Sequence, residues 1–275
     1  MNGFYVWNGR KIKQALVIAV ALMFGAGIIY SEKENLTVFA QKQPLAVYNV
    51  KTDKKVVALT FDISWGDKLP DPIIDLLKNK GVDQATFFLS SPWAKSHQKV
   101  IDKLVKDGYE IGSHGHKHLN YSTLSDDEIR NQLQTAHAIL TDVTKKQPEL
   151  LRLPNGDFDK RVLKIADELG YTVIQWDTDS QDWMDKSAGT IVDRVVNRVH
   201  PGDIVLLHAS DSAKQNLQAL PTIIDQLRAK GYEFVTVSSL IHQADLKEEP
   251  VQDHASKQLP SASPSPSHSA SPTGR

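Results

Sequence analysis

Two histidines four residues apart, His114 and His118, put both imidazoles on one face if a helical turn begins there. Neutral imidazoles at that spacing suit Zn²⁺ or a similar borderline ion. The chain has no cysteine, so any metal must be held by His, Asp or Glu. His116 points elsewhere on the same spacing and is expected behind the site or at the surface. Asp62 follows the apolar run VVALTF, and a carboxylate there needs a partner, either the metal or Arg152. Arg152 has a fixed charge and a planar fork suited to a carboxylate. His208 closes another aliphatic run and can donate a proton only if an acid raises its pKa, for which Asp182 is the candidate. A metal-polarised water, a carboxylate base and a histidine acid together make a metal hydrolase. The remaining histidines (His97, His137, His200, His242, His254 and His268) read as structural or surface.

These residues need elements that bring them to one place. Seven short β-rich runs occur at 56–61, 85–89, 109–113, 149–153, 172–176, 203–208 and 233–237. Amphipathic helical stretches separate them, two of which (PIIDLLKNKG and SHQKVIDKLVKDG) close on glycine. Ser125 and Glu128 form a capping box that opens the helix EIRNQLQTAHAIL. The β–α alternation predicts a parallel sheet with helical crossovers, open or closed into a barrel. In such sheets chemistry gathers at the C-terminal strand ends, where Asp62, His114, His118, Arg152, Asp182 and His208 all fall.

The two ends of the chain differ from this middle. Arg10, Lys11 and Lys13 precede an apolar run over 15–30, which predicts an export signal or membrane anchor in residues 1–31. Val38, Phe39 and Ala40 have the small-residue look of a cleavage site, although charged residues separate them from the apolar run. Residues 32–44 read as a linker, 45–243 as the folded domain and 244–275 as a disordered Ser/Pro-rich tail. The net charge of −1 hides this division, because residues 1–13 carry +3 and 14–245 carry −4. A domain without a basic surface argues against nucleic acid as a partner. The protein is expected outside the cytoplasmic membrane, anchored or secreted, and monomeric.

Five motifs occur in order: Thr60-Phe61-Asp62, His114-x₃-His118, Arg152-x-Pro154-x-Gly156, Asp179-x-x-Asp182-Trp183 and Leu206-x-His208. With them the chain resembles the NodB-type polysaccharide deacetylases, carbohydrate esterases of family 4, over about 190 residues. It is most similar to the PdaB-like spore deacetylases, which share the segment TFDISWG. The resemblance implies a distorted (β/α) barrel, with about seven parallel strands here, that removes N-acetyl groups from a β-1,4-linked amino-sugar polymer, most readily peptidoglycan. It implies His114 and His118 as metal ligands, Asp62 as general base oriented by Arg152, and His208 as general acid tuned by Asp182. It also implies that the backbone N–H of Asn155 stabilises the oxyanion, and that Trp183 and Leu206 enclose the acetyl methyl group.

One departure stands out. The family's first motif carries a second Asp as third metal ligand, and here that position is Ile63. Either Asp62 becomes a ligand, or water completes a weaker two-histidine site, or the metal is lost. A binding protein for cell-wall glycan, without catalysis, is therefore an alternative to the deacetylase, and esterase action on O-acetylated sugars is a third reading.

Overall fold

Nine strands, all paired in parallel, form one sheet among the described residues: β1 (Ala46–Val47), β2 (Val56–Ile63), β3 (Thr86–Leu89), β4 (Glu110–Ser113), β5 (Leu150–Leu151), β6 (Thr172–Ile174), β7 (Thr178–Asp179), β8 (Asp203–His208) and β9 (Glu233–Phe234). This computed structural model describes residues 44–243 and positions 10, 13, 19, 20, 22 and 23. The order is β1-β6-β5-β4-β3-β2-β8-β7. β9 shares one edge of β2 with β3, since β8 occupies the other. Eight helices follow or separate the strands: α1 (Pro70–Asn79), α2 (Ser91–Ser96), α3 (Gln98–Asp107), α4 (Asp126–Thr144), α5 (Lys160–Glu168), α6 (Ala188–Arg198), α7 (Asn216–Ala229) and α8 (Val237–Gln243).

β2 is central, with neighbours on both edges, and all eight of its residues are buried. That is why it reads as a continuous apolar run rather than an alternating one. Its two faces are nonetheless different. Val57, Leu59, Phe61 and Ile63 belong to the large apolar cluster shared with α1, α6 and α7. Val56 and Ala58 belong to an inner cluster with Phe88, Ile174 and Ile204, and Thr60 and Asp62 continue that inner file toward the strand's C-terminal end. The file thus runs from hydrocarbon to hydroxyl to carboxylate.

The sheet curls because the segment after β1 returns to β8. Asn49 bridges Asp203, Val50 N–H donates to Gly202 O (2.8 Å), and Asp177 N–H donates to Ile204 O (3.1 Å). Gly202 is left-handed (φ +80°), and a Cβ there would lie 1.8 Å from Val50 O, so only glycine lets the backbones approach this closely. A curled parallel sheet with helices outside is consistent with the distorted barrel expected from the sequence.

Several boundaries differ from expectation. The strand count is nine rather than seven, because β1 and β7 are two-residue pairings outside the seven runs. The run over 233–237 gives only a two-residue strand, since the Thr236 hydroxyl accepts from Ser239 N–H (3.1 Å) and opens α8 instead. Ser125 and Glu128 form the reciprocal capping box of α4.

The chain separates into two units, Met1–Pro44 and Leu45–Arg275. In the first, positions 10, 13, 19, 20, 22 and 23 are helical and exposed. Most of the apolar run over 15–30, nearly all of the linker and the whole tail over 244–275 lie outside the described residues. Among the described residues, no helix is long and apolar enough to cross a membrane. Gly202→Ala is expected to cost about 2–4 kcal/mol by forcing the seam apart, read as a lowered urea midpoint of the purified protein.

Candidate active site

Arg152 has no exposed surface, and its guanidinium crosses the interior to the inner file of β2. Nη1 donates to Asp62 Oδ1 (2.9 Å) and to Thr60 Oγ1 (2.7 Å), and Nη2 donates to Gln175 O (2.9 Å). The cation lies 4.2 Å from the ring centre of Phe88 and 5.5 Å from that of Trp176. Burial works against ionisation of Asp62, but the charges of Arg152, His114 and His208 outweigh it and hold its pKa below the ordinary carboxylate value. Arg152, one of the two partners the sequence allows for Asp62, is in contact with it.

His114 follows β4 directly and is buried. Its Nδ1–H donates to Arg152 O (2.8 Å), which leaves the Nε2 lone pair free, 3.9 Å from Asp62 Oδ2. Burial pushes the His114 pKa down to about 4, so the ring is neutral at physiological pH. His118 stacks edge-on against it, with ring centres 5.5 Å apart, and burial lowers its pKa as well. The expected third ligand position, Ile63, lies on the outer file with no exposed surface and belongs to the helix-side apolar cluster. Asp67, near it in sequence, is turned to solvent and pairs with His97. Among the described residues, no three His, Asp or Glu side chains are grouped to hold an ion. The two imidazoles therefore fit an ion, with Asp62 Oδ2 3.9 Å from one of them.

Across the site, Asp62 and His208 are register partners on β2 and β8, and so lie side by side on the same sheet face. Asp182 is buried in the short 3₁₀ turn Asp182–Met184. Its Oδ1 accepts from His208 Nδ1 (2.7 Å) and its Oδ2 from His208 N–H (2.7 Å). Burial alone would lower the pKa of His208. The Asp182 charge and hydrogen bond, with Asp62 and Asp179 behind them, push it up to about 9. Leu206 lies on the same face of β8 as His208 and is buried. Trp183, beside Asp182, is half exposed. Asn155 takes a left-handed conformation (φ 58°) inside the turn Pro154–Gly156. The turn's internal bonds use the N–H groups of Gly156 and Asp157, which leaves that of Asn155 outside its ladder.

The structure adds three residues that sequence reasoning did not single out. The Thr60 hydroxyl donates a hydrogen bond to Val205 O (2.6 Å) while accepting one from Arg152. Asn216, the first residue of α7, is fully buried and donates to Asp182 Oδ2 and to His208 O (2.7 Å). Asp211 accepts from three N–H groups of the loop after β2. Thr60 stood within a quoted motif, whereas nothing around Asn216 or Asp211 marks them. The other histidines within 45–243 bind away from the site: His116 to Ser91, His137 to Tyr171 and His200 to Asp177.

The polysaccharide deacetylase family matches residues 49–174. A peptidoglycan-N-acetylglucosamine deacetylase of Bacillus cereus is 34% identical over 190 residues, covering 68% of this chain and 69% of that one. The CE4 family pseudoenzyme BA3943 of Bacillus anthracis superimposes with a TM-score of 0.68 at 34% identity, over 72% of this chain and 69% of that one. A BA3943 mutant with restored enzymatic activity matches with the same TM-score at 35% identity, over 72% and 71% of the two chains.

Arg152→Met would strand the Asp62 carboxylate in a buried site. The variant is expected to lose about 3–5 kcal/mol of stability in chemical denaturation, and most of that loss should return in Arg152→Met/Asp62→Asn.

Proposed function

The chain belongs to the polysaccharide deacetylase family, hydrolases of amide bonds in N-acetylated glycans, and from that premise we propose that its domain removes N-acetyl groups from a cell-wall amino-sugar polymer of the peptidoglycan type. The observation that carries this reading is the opposed pair at the top of β2 and β8: Asp62, biased toward the carboxylate, beside His208, biased toward the imidazolium. A base and an acid held in opposite charge states on one sheet face are what amide hydrolysis needs.

In this mechanism Asp62 takes a proton from a water that attacks the acetamide carbon. The Asn155 N–H stabilises the resulting oxyanion. His208, with Nδ1 tied to Asp182, presents Nε2–H and gives its proton to the sugar nitrogen as the C–N bond breaks, so that acetate and a free amine leave. Leu206 and Trp183 flank the acetyl methyl group. A divalent ion, zinc by the preference of two imidazoles, would be held by His114 and His118 and would polarise the acetamide carbonyl. The basic residues before the apolar run over 15–30 support an exported domain, anchored or secreted. The segment TFDISWG, shared with spore deacetylases, supports a place in spore formation.

Ile63 favours a second reading, in which the domain binds the same glycan with little or no hydrolysis, as the likeness to a pseudoenzyme allows. Acetate release from N-acetylated peptidoglycan separates the two. Under the first reading Asp62→Asn lowers the rate by about 10²–10⁴-fold. Glycan binding by the wild type without acetate release establishes the second.

The pH profile follows from His208. Its acid form is full below its raised pKa and is lost as pH rises through about 9, so acetate release should fall over that range. Ile63→Asp is expected to raise zinc affinity by roughly tenfold or more in calorimetric titration. Without metal, the same variant should lose about 1–3 kcal/mol from the buried carboxylate.

A further inference from the structure

The loop that leaves β2, residues 64–69, is pinned from three sides. Ser64 N–H donates to Ser210 Oγ (3.2 Å), and Trp93 Nε1–H donates to Gly66 O (2.8 Å). The Asp211 carboxylate accepts from the N–H groups of Asp67 (3.1 Å), Lys68 (3.0 Å) and Leu69 (2.9 Å). Gly66 is left-handed (φ +105°) and pressed so closely on Asp211 that a Cβ would lie 2.6 Å from its Cγ. In the middle of this fixed loop, Trp65 keeps 55% of its surface exposed, the largest fraction for any aromatic side chain among the described residues.

A large indole left in water forgoes the burial that normally stabilises it. Holding its backbone rigid removes in advance the entropy a ligand would otherwise have to freeze out. Three residues of backbone separate Trp65 from Asp62, so the two Cα atoms are at most about 11 Å apart. That is the reach of a neighbouring unit in a linked sugar chain. The rings of a β-linked amino-sugar polymer carry their substituents around the edge and expose C–H groups on their faces, which matches a flat, exposed aromatic. Trp183 and Met184, each 41% exposed, lie in the turn that follows β7, the neighbour of β8 away from β2.

We propose that Trp65 is the stacking platform for the sugar ring adjacent to the one whose acetamide lies between Asp62 and His208, and that it makes the protein select oligomers over a single sugar. This rests on the glycan reading above. The test compares wild type, Trp65→Ala and Trp65→Phe, as full-length chains, in calorimetric titration with a β-1,4-linked tetramer of N-acetylglucosamine and with the monosaccharide. Trp65→Ala should weaken tetramer binding about 5- to 20-fold and leave monosaccharide binding unchanged, and Trp65→Phe should retain most of the tetramer affinity. Tetramer binding by Trp65→Ala equal to wild type overturns the platform and leaves the glycan reading standing. No tetramer binding by the wild type overturns both. Equal losses in Trp65→Phe and Trp65→Ala, or a Trp65-dependent self-association seen by sedimentation, overturn the stacking role.

Discussion

A guanidinium keeps its proton under all ordinary conditions, so burying Arg152 completely commits the interior to a permanent positive charge. The fold answers with one anion, Asp62, and with oxygen acceptors from Thr60 and Gln175, while Phe88 and Trp176 face the cation. These partners come from β2, from β3 and from the chain following β6, so one side chain draws several strand ends inward. The direction of the Asp62 carboxylate, and hence the position of everything built around it, follows from this cluster. Among the described residues, Arg152 Nε has no protein hydrogen-bond partner.

Asp62 and His208 would neutralise each other if left alone on neighbouring strands. Each instead has a private partner, so the site reads as Arg152, Asp62, His208 and Asp182 in alternating sign. Asn216 completes the far end by holding both Asp182 and the His208 carbonyl. This half of the site is intact down to its supporting hydrogen bonds. At the other end of the site His114 and His118 face each other, burial lowers the pKa of both, and Ile63 is packed with the helices. On the proposed reading, an acid–base pair stands beside an ion site with two imidazole ligands.

β2 and β8 were legible in the sequence because a strand buried on both faces must be a continuous aliphatic run, and Asp62 and His208 stood at their ends. The capping box of α4 was legible because its two partners are local. β1 and β7 were not, since two-residue pairings at the sheet margins carry no periodicity. Asn216 and Asp211 were hidden for a related reason: each acts on residues between 8 and 144 positions away, and neither sits in a local pattern that its chemistry requires. The loss of the ligand at Ile63 was readable as a change of type. That the position belongs to the outer file required the register of β2.

Asp211 lies three residues beyond His208, and the loop it grips begins two residues beyond Asp62. The exits of β2 and β8 are therefore sewn together by three N–H groups donating to the Asp211 carboxylate and by Ser210. A displacement of one exit is transmitted to the other. Asp62 and His208 ride on a single mechanical body, so movement that reaches one exit carries the other with it.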